Sequence, residues 1–165
     1  MYMKTLILFF FVLVSFVSAE GLKWLGFTDG TAKVKKQSKP AVIDCYTDWC
    51  GWCKKMDQTT YGDKKVGNLL SKSFVCIKIN PETSKEKIAY DGKEFTTMQF
   101  MQALGVQGFP ATAFMDKQGK LITMLPGFIP AETFYQILTY INDECYSKGV
   151  SFEDYQKQTG GCKKK

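Results

Sequence analysis

The sequence contains no histidine and no arginine, and these two absences exclude several kinds of function. All 22 basic residues of the 165-residue chain are lysines. Without histidine, the chain lacks the Cys-His pair of cysteine proteases and the imidazole ligands usual in zinc and copper sites. Without arginine, it lacks the bidentate guanidinium contacts with which proteins read nucleic acids. We therefore expect no metal, no cofactor and no nucleic-acid partner.

The sequence also lacks an apolar run long enough to span a membrane. Residues 6–17 are apolar except for Ser15, and this run of roughly 12 residues falls short of the ~20 that a spanning helix needs. It follows Lys4 and ends in Val17-Ser18-Ala19, an arrangement typical of a secretory signal peptide. We predict a signal peptide at residues 1–19 and a periplasmic or secreted mature protein; an uncleaved anchor is the alternative.

The remaining length is enough for one domain with a hydrophobic core. The formal charge of +6 includes four lysines near the termini, Lys4 and Lys163–Lys165, which leaves 6 − 4 = +2 for the rest of the chain. We interpret the lysines as a solvated surface. The predicted organisation is a monomer with one domain at residues 20–158 and a Lys-rich tail at residues 159–165.

Two cysteines three residues apart are the most informative feature. They lie in Trp49-Cys50-Gly51-Trp52-Cys53-Lys54, two residues after the apolar run 40–46. A helix that begins at Cys50 would favour its thiolate through unpaired N–H groups and the helix dipole. Cys53 would then lie one turn later, within reach of a disulfide. The spacing predicts a redox-active pair; the alternatives are a static bridge or half of a zinc site, for which no second ligand pair exists.

Apolar periodicity predicts alternating strands and helices. The predicted strands are residues 40–46, 73–79, 112–115 and 121–124, with a hairpin turn at Asp91-Gly92. The predicted helices are residues 31–36, 50–59, a stretch N-capped by Asp63, 97–104, 131–146 and 151–158. Layer rules then favour a central sheet with helices on both faces.

Three segments resemble thioredoxins. Residues 44–54 resemble the family's active-site segment, residues 106–111 its cis-proline loop, and Pro126-Gly127 the glycine before its last helix. Residues 90–96, 126–128 and 151–155 are similar to SoxW-type thioredoxin-related proteins. The resemblance covers about residues 21–158. It implies an α/β thioredoxin fold with a mixed central sheet, a small hairpin-like insertion and a C-terminal helical extension.

The resemblance also implies catalytic roles. Cys50 would attack a substrate disulfide, and Cys53 would resolve the mixed disulfide. Asp44 matches the family's buried acid, which would take the proton from Cys53, and Lys78 matches its partner lysine. The alternative is that Asp44 is only tolerated in its strand and that Lys78 points outward.

Substrate binding is expected around the sulfurs. The peptide bond before Pro110 is expected to be cis, with its backbone beside Cys50 for pairing with a substrate; a trans proline in a surface turn is the alternative. Gly51 lies between the two cysteines. The expected apolar rim for docking partner chains comprises Trp49, Trp52, Phe109 and Phe128. Any of these aromatic residues could instead belong to the core.

Four further cysteines remain. Cys45 and Cys76 lie within predicted strands, where a free thiol packs as a small hydrophobe. Cys145 and Cys162 flank the C-terminal extension and are predicted to form a second disulfide, worth about 3 kcal/mol in the chain-entropy model. The alternative is two free thiols.

These features together predict an exported thiol–disulfide oxidoreductase. Trp52 stands where reducing thioredoxins carry proline and oxidising members often carry histidine, so a reducing or exchanging protein is favoured over a strong oxidant. The implied partners are protein disulfides or thiols and an upstream membrane thiol electron donor. The alternatives are an isomerase or oxidant of exported-protein folding, and a non-catalytic binding module with a structural bridge.

Overall fold

The computed structural model describes residues 21–157 and 161–162. The predicted signal peptide lies outside these residues, as does the predicted tail apart from residues 161–162. Among the described residues, no helix combines the length and the apolar character needed to cross a bilayer.

Seven strands and six α-helices form the described chain. In chain order they are β1 Trp24–Leu25, α1 Phe27–Gln37, β2 Ala41–Cys45, α2 Gly51–Met56, α3 Lys64–Ser73, β3 Val75–Ile79, β4 Lys87–Tyr90, β5 Lys93–Thr96, α4 Thr97–Ala103, β6 Ala111–Met115, β7 Leu121–Pro126, α5 Ala131–Asn142 and α6 Phe152–Lys157. A π-helical turn, Asp57–Tyr61, follows α2, and a 3-10 turn, Cys145–Lys148, follows α5.

Five strands form one mixed sheet in the order β1-β3-β2-β6-β7. β1, β3 and β2 run parallel, and β6 and β7 are antiparallel to their neighbours. All five residues of β2 are buried, as expected of a central strand covered on both faces. The thioredoxin fold predicted from the sequence is confirmed, including a separate β4-β5 hairpin and a C-terminal helical extension.

Each face of the sheet has its own hydrophobic cluster. On one face, α1 contributes Phe27 and Val34, and α4 contributes Phe100. On the other face, α2, α3 and α5 supply buried side chains that include Met56 and Phe134. Gly30 lets α1 approach closely, because a Cβ atom there would lie 2.3 Å from the Ile77 side chain of β3.

The structure corrects several predicted boundaries. α1 begins at Phe27 rather than near residue 31, because the Glu86 carboxylate accepts hydrogen bonds from the N–H groups of Phe27 and Thr28. β1 was not predicted, since its two residues acquire their structure by pairing with β3. The α5 helix ends at Asn142 rather than at residue 146. Two residues after Asn142, Glu144 adopts a left-handed backbone with φ 55°.

The C-terminal extension packs back onto α5. A disulfide joins Cys145 to Cys162, with a Cα–Cα distance of 5.2 Å. The Tyr140 hydroxyl donates a hydrogen bond to the Val150 carbonyl at 2.7 Å, and its ring meets that of Phe152 with 5.4 Å between centroids.

Candidate active site

The two cysteines of the Cys-Gly-Trp-Cys segment form a disulfide at the start of α2. Cys50 is the N-cap of this helix, and its Sγ accepts a hydrogen bond from the Cys53 N–H at 3.1 Å. The Cα atoms lie 5.3 Å apart, and each residue is only 4 % exposed. A reduced Cys50 would therefore hold its sulfur at unpaired helical N–H groups, which favour the thiolate.

Asp44 lies on β2, six residues before Cys50, and is 2 % exposed. Its carboxylate accepts a hydrogen bond from the Tyr61 hydroxyl at 3.2 Å and lies 3.3 Å from the Lys78 ammonium. Burial raises the pKa of Asp44 to about 6, although Lys78 opposes the change. This carboxyl can therefore accept and release a proton near neutral pH.

Lys78 lies directly opposite Asp44 in the parallel β2-β3 pair. Its ammonium contacts two carboxylates, those of Asp44 and Asp57, and lies over the ring of Tyr46 at 4.8 Å. Burial lowers the pKa of Lys78, but the hydrogen bond to Asp57 and the two negative charges outweigh it, so the pKa is raised. Lys78 thus points inward to the buried acid, and the outward alternative is wrong.

The Phe109-Pro110 peptide bond is cis, and its loop precedes β6. The Pro110 carbonyl accepts a hydrogen bond from the Gly127 N–H at 2.8 Å. Gly127 has φ 83°, in the region that favours glycine. The Phe109 ring meets the Trp49 ring edge to face, with 6.4 Å between centroids, so this loop lies beside the cysteine segment.

Two tryptophans beside the cysteines are exposed: Trp49 precedes Cys50, and Trp52 lies between the two cysteines. Trp49 is 68 % exposed and Trp52 is 56 % exposed. Trp52 packs against Phe128 with 5.4 Å between centroids, and the Lys55 ammonium lies over both rings. Gly51 is exposed, and a Cβ atom there would meet nothing within 4 Å. We call Trp49, Trp52, Phe109 and Phe128 the aromatic rim; such an exposed apolar patch is typical of a protein-binding surface.

Four residues at the site were not singled out from the sequence. Tyr61 and Asp57 lie in the π-helical turn, whose register apolar periodicity does not reveal. One feature of the sequence could have indicated that Asp57 belongs to the site: it follows Cys50 by seven residues, or about two helical turns. Glu82 accepts a hydrogen bond from the Trp49 indole at 3.0 Å, and Lys55 covers Trp52.

The other cysteines differ from the pair. Cys45 and Cys76 are free and buried in the sheet. Burial, reinforced by the Asp44 charge, raises the pKa of Cys45, and burial raises that of Cys76 to about 12 although Lys33 opposes it. Neither thiol is therefore ionised near neutral pH. Among the described residues, Asp143, Cys145 and Cys162 form the one group with metal-ligand spacing, but its sulfurs are joined in a disulfide.

Comparisons with known proteins place these features in a family. A family model described as a thioredoxin-like domain matches residues 27–142, which is more than half of the chain. The chain is 31% identical over 104 residues to the thiol:disulfide interchange protein DsbD of Yersinia pestis. This match covers 62% of the chain but only 16% of that relative, so the chain corresponds to about one sixth of the DsbD protein.

Solved structures share the fold. A thioredoxin-fold protein from Helicobacter pylori superposes with a TM-score of 0.62 at 24% identity, covering 79% of this chain and 91% of that one. The C-terminal domain of Neisseria meningitidis DsbD in its oxidised form superposes with a TM-score of 0.51 at 23% identity, covering 67% and 87%. This chain therefore shares with these structures a fold with a mixed sheet and helices on both sides. The disulfide at the start of α2 lies within this shared fold.

Proposed function

We propose, from the premise that this chain belongs to the thioredoxin-like domain family, that it reduces or exchanges disulfides in partner proteins outside the cytoplasm. A thioredoxin-like domain with a Cys50–Cys53 disulfide at the start of α2 is a thiol–disulfide oxidoreductase. The direction of electron flow, the partners and the compartment are the proposal. The observation that carries it is the Cys50–Cys53 disulfide at the N-cap of α2, in a chain whose β2 buries a carboxyl with a pKa of about 6 six residues before Cys50.

The proposed cycle transfers two electrons to the partner. The Cys50 thiolate attacks one sulfur of the partner disulfide, and the other sulfur leaves as a thiolate that takes a proton. Asp44 then accepts the proton of Cys53, whose sulfur attacks Cys50 and closes the Cys50–Cys53 disulfide. The partner's second sulfur leaves and is protonated, so the partner becomes a dithiol. Lys78 keeps the negative charge of Asp44 paired after the proton has moved away.

The reducing direction is supported by the charges around the pair. No cationic side chain lies between the cysteines, since Gly51 and Trp52 occupy those positions. The Asp44 and Asp57 carboxylates share the single Lys78 ammonium, so when both are ionised this group carries a net negative charge, which would disfavour a further negative charge on sulfur. A less stabilised thiolate favours the oxidised enzyme and hence donation of electrons. The second candidate, an isomerase or oxidant, requires a strongly stabilised Cys50 thiolate.

The cellular setting is also part of the proposal. The signal-like residues 1–19 and the similarity to SoxW-type proteins support a periplasmic protein of that subgroup, and we propose that it is a monomer. The re-reduction of Cys50–Cys53 then needs an upstream thiol donor in the membrane. The similarity to DsbD, itself named as a thiol:disulfide interchange protein, supports a place within such thiol relays.

Trapping of partners tests the proposal. In a Cys53→Ala variant, Cys50 has no resolving thiol, so mixed disulfides with partner proteins should accumulate and should disappear on reduction. The matched control is the Cys50→Ala, Cys53→Ala double variant, which should trap nothing. A non-catalytic binding module would give the same empty pattern in both variants, and that result would overturn the proposal.

A further inference from the structure

An apolar groove with a volume of about 590 Å³ runs between β7 and α5. Ile122 and Leu125 of β7 line one wall, and Thr133 and Ile137 of α5 line the other. A groove of this volume lies within the range of cavities that bind small molecules or side chains. It lies outside the cysteine pair and takes no part in the redox step described above.

The groove begins at the active site. Phe128 lines the groove and also packs on Trp52, one of the two residues between the cysteines. Pro126 lines the groove as well, and the next residue, Gly127, is hydrogen-bonded to Pro110. A polypeptide bound at Cys50 can therefore pass over Phe128 and enter the groove without leaving the apolar surface.

Among residues 21–157 and 161–162, the C-terminal extension contributes to the far end of the groove. Tyr146 and Phe152 of the C-terminal extension line that end. At the N-terminal end of the described chain, Gly21 and Leu22 line a different cleft together with Asn68 of α3. That cleft lies near β1, at the opposite edge of the five-stranded sheet from β7. Gly21 and Leu22 thus lie away from the groove.

The charge of Lys55, where the groove meets the active site, indicates which side chains a bound segment would carry there. The Lys55 ammonium lies 4.7 Å from the centroid of Trp52 and 5.4 Å from that of Phe128. Lys55 forms no ion pair among the described residues. A bound segment that crosses this point would gain binding free energy from an acidic side chain near Lys55 and would lose binding free energy from a basic one.

We propose that the groove binds large apolar side chains of the same partner segment that presents its disulfide to Cys50, with an acidic residue between the cysteine and those side chains. This inference rests on the proposed function, and it names the substrate class: extended protein segments with an apolar cluster near the reactive cysteine. Burial of one leucine-sized side chain in the groove accelerates reduction by about tenfold or more.

Short synthetic peptides provide the test. Each carries one cysteine in a mixed disulfide with thionitrobenzoate, whose release in a single turnover reports attack by the reduced protein; kcat/KM here denotes the second-order rate constant of this release. One peptide has an acidic residue and a Leu-Leu pair on the N-terminal side of the cysteine, a second has them on the C-terminal side, and a third has serines instead. We expect kcat/KM for one of the two leucine peptides to exceed that of the serine peptide by about tenfold or more.

Matched variants locate the effect. Thr133→Glu places a charge in the groove wall, and Tyr135→Glu places the same charge on an exposed part of α5 outside the groove. The ratio of kcat/KM between leucine and serine peptides should fall to near one in Thr133→Glu and stay at the wild-type value in Tyr135→Glu. NMR of methyl groups with a Cys→Ser version of the preferred peptide needs no turnover, and it should shift the signals of Ile122 and Ile137.

Three results would overturn the inference. Equal rates for all three peptides, with clear catalysis, would reject the groove as a substrate site while leaving the proposed function intact. Catalysis of none of the peptides would reject the proposed function and this inference with it. A dimer in solution that dissociates on Thr133→Glu would assign the groove to a second copy of the chain.

Discussion

The pKa of Asp44 makes the free energy of unfolding depend on pH in a definite direction. Its pKa rises from 3.8 to about 6 on folding, chiefly through burial. A group whose pKa is raised in the folded state contributes stability below its unfolded pKa, and this contribution is lost as pH rises through the folded pKa. Stability from Asp44 is therefore present near pH 3.5 and is lost between about pH 4 and pH 6.

The size of this loss follows from the shift. A change of about two pKa units corresponds to about 3 kcal/mol at 1.36 kcal/mol per unit. In Asp44→Asn the group no longer titrates. The free energy of unfolding of the wild type minus that of the variant should therefore fall by about 3 kcal/mol between about pH 3.5 and pH 7.5.

Urea unfolding of the oxidised protein at a series of pH values measures this difference. Asp44→Ala provides an internal check, because it removes the same titrating group but differs in packing. The difference in the free energy of unfolding between Asp44→Ala and Asp44→Asn should be the same at every pH. A wild-type-minus-variant difference that is flat with pH, or that rises with pH, would refute the claim that Asp44 is a destabilised buried acid.

Three further predictions concern the surroundings of the site and the extension. Lys78→Met removes the cation that opposes burial, so the pKa of Asp44 should move above its wild-type value, as measured by NMR titration of the carboxyl carbon. Replacing Cys145 and Cys162 together by alanine should lower the free energy of unfolding by about 3 kcal/mol in non-reducing urea titrations, and equal stability would contradict a stabilising bridge. Gly30→Val should cost about 1–3 kcal/mol or prevent folding, because it forces α1 away from β3; wild-type thermal stability would contradict that packing.

Features encoded locally were predictable from the sequence. The β4-β5 hairpin turns at Asp91-Gly92, where both residues have positive φ, and Asp63 caps α3 by accepting hydrogen bonds from two backbone N–H groups. β2 is recognisable because all of its residues except Asp44 are apolar. In each case a few adjacent residues carry the whole signal.

Features that depend on distant residues were not predictable. The start of α1 depends on Glu86, more than fifty residues away in the chain. The second carboxylate on Lys78 comes from the π-helical turn, whose geometry has no distinct residue pattern. The groove beside β7 forms only when α5 and the C-terminal extension are packed, so the apolar residues that line it resemble ordinary core positions in the sequence.

Trp52 replaces the proline or histidine found at this position in other thioredoxins, so its role is the least predictable from the sequence. The structure places it on the surface against Phe128, with Lys55 above it and its ring available to a partner. In this position it contributes docking surface and no charge to the Cys50 sulfur. The prediction that the protein is reducing therefore depends on two features: the absence of a cation between the cysteines, and the buried acid Asp44 on β2.

The reduction potential of the Cys50–Cys53 pair tests this account most directly. Equilibration of the purified protein with glutathione buffers of varied ratio, with the fraction of alkylated Cys50 as readout, gives the potential. We predict a two-electron couple below about −200 mV, in the range of reducing thioredoxin-like proteins. A potential near −120 mV, that of a strong oxidant, would contradict the reducing function, and a bridge that never equilibrates would contradict redox activity altogether.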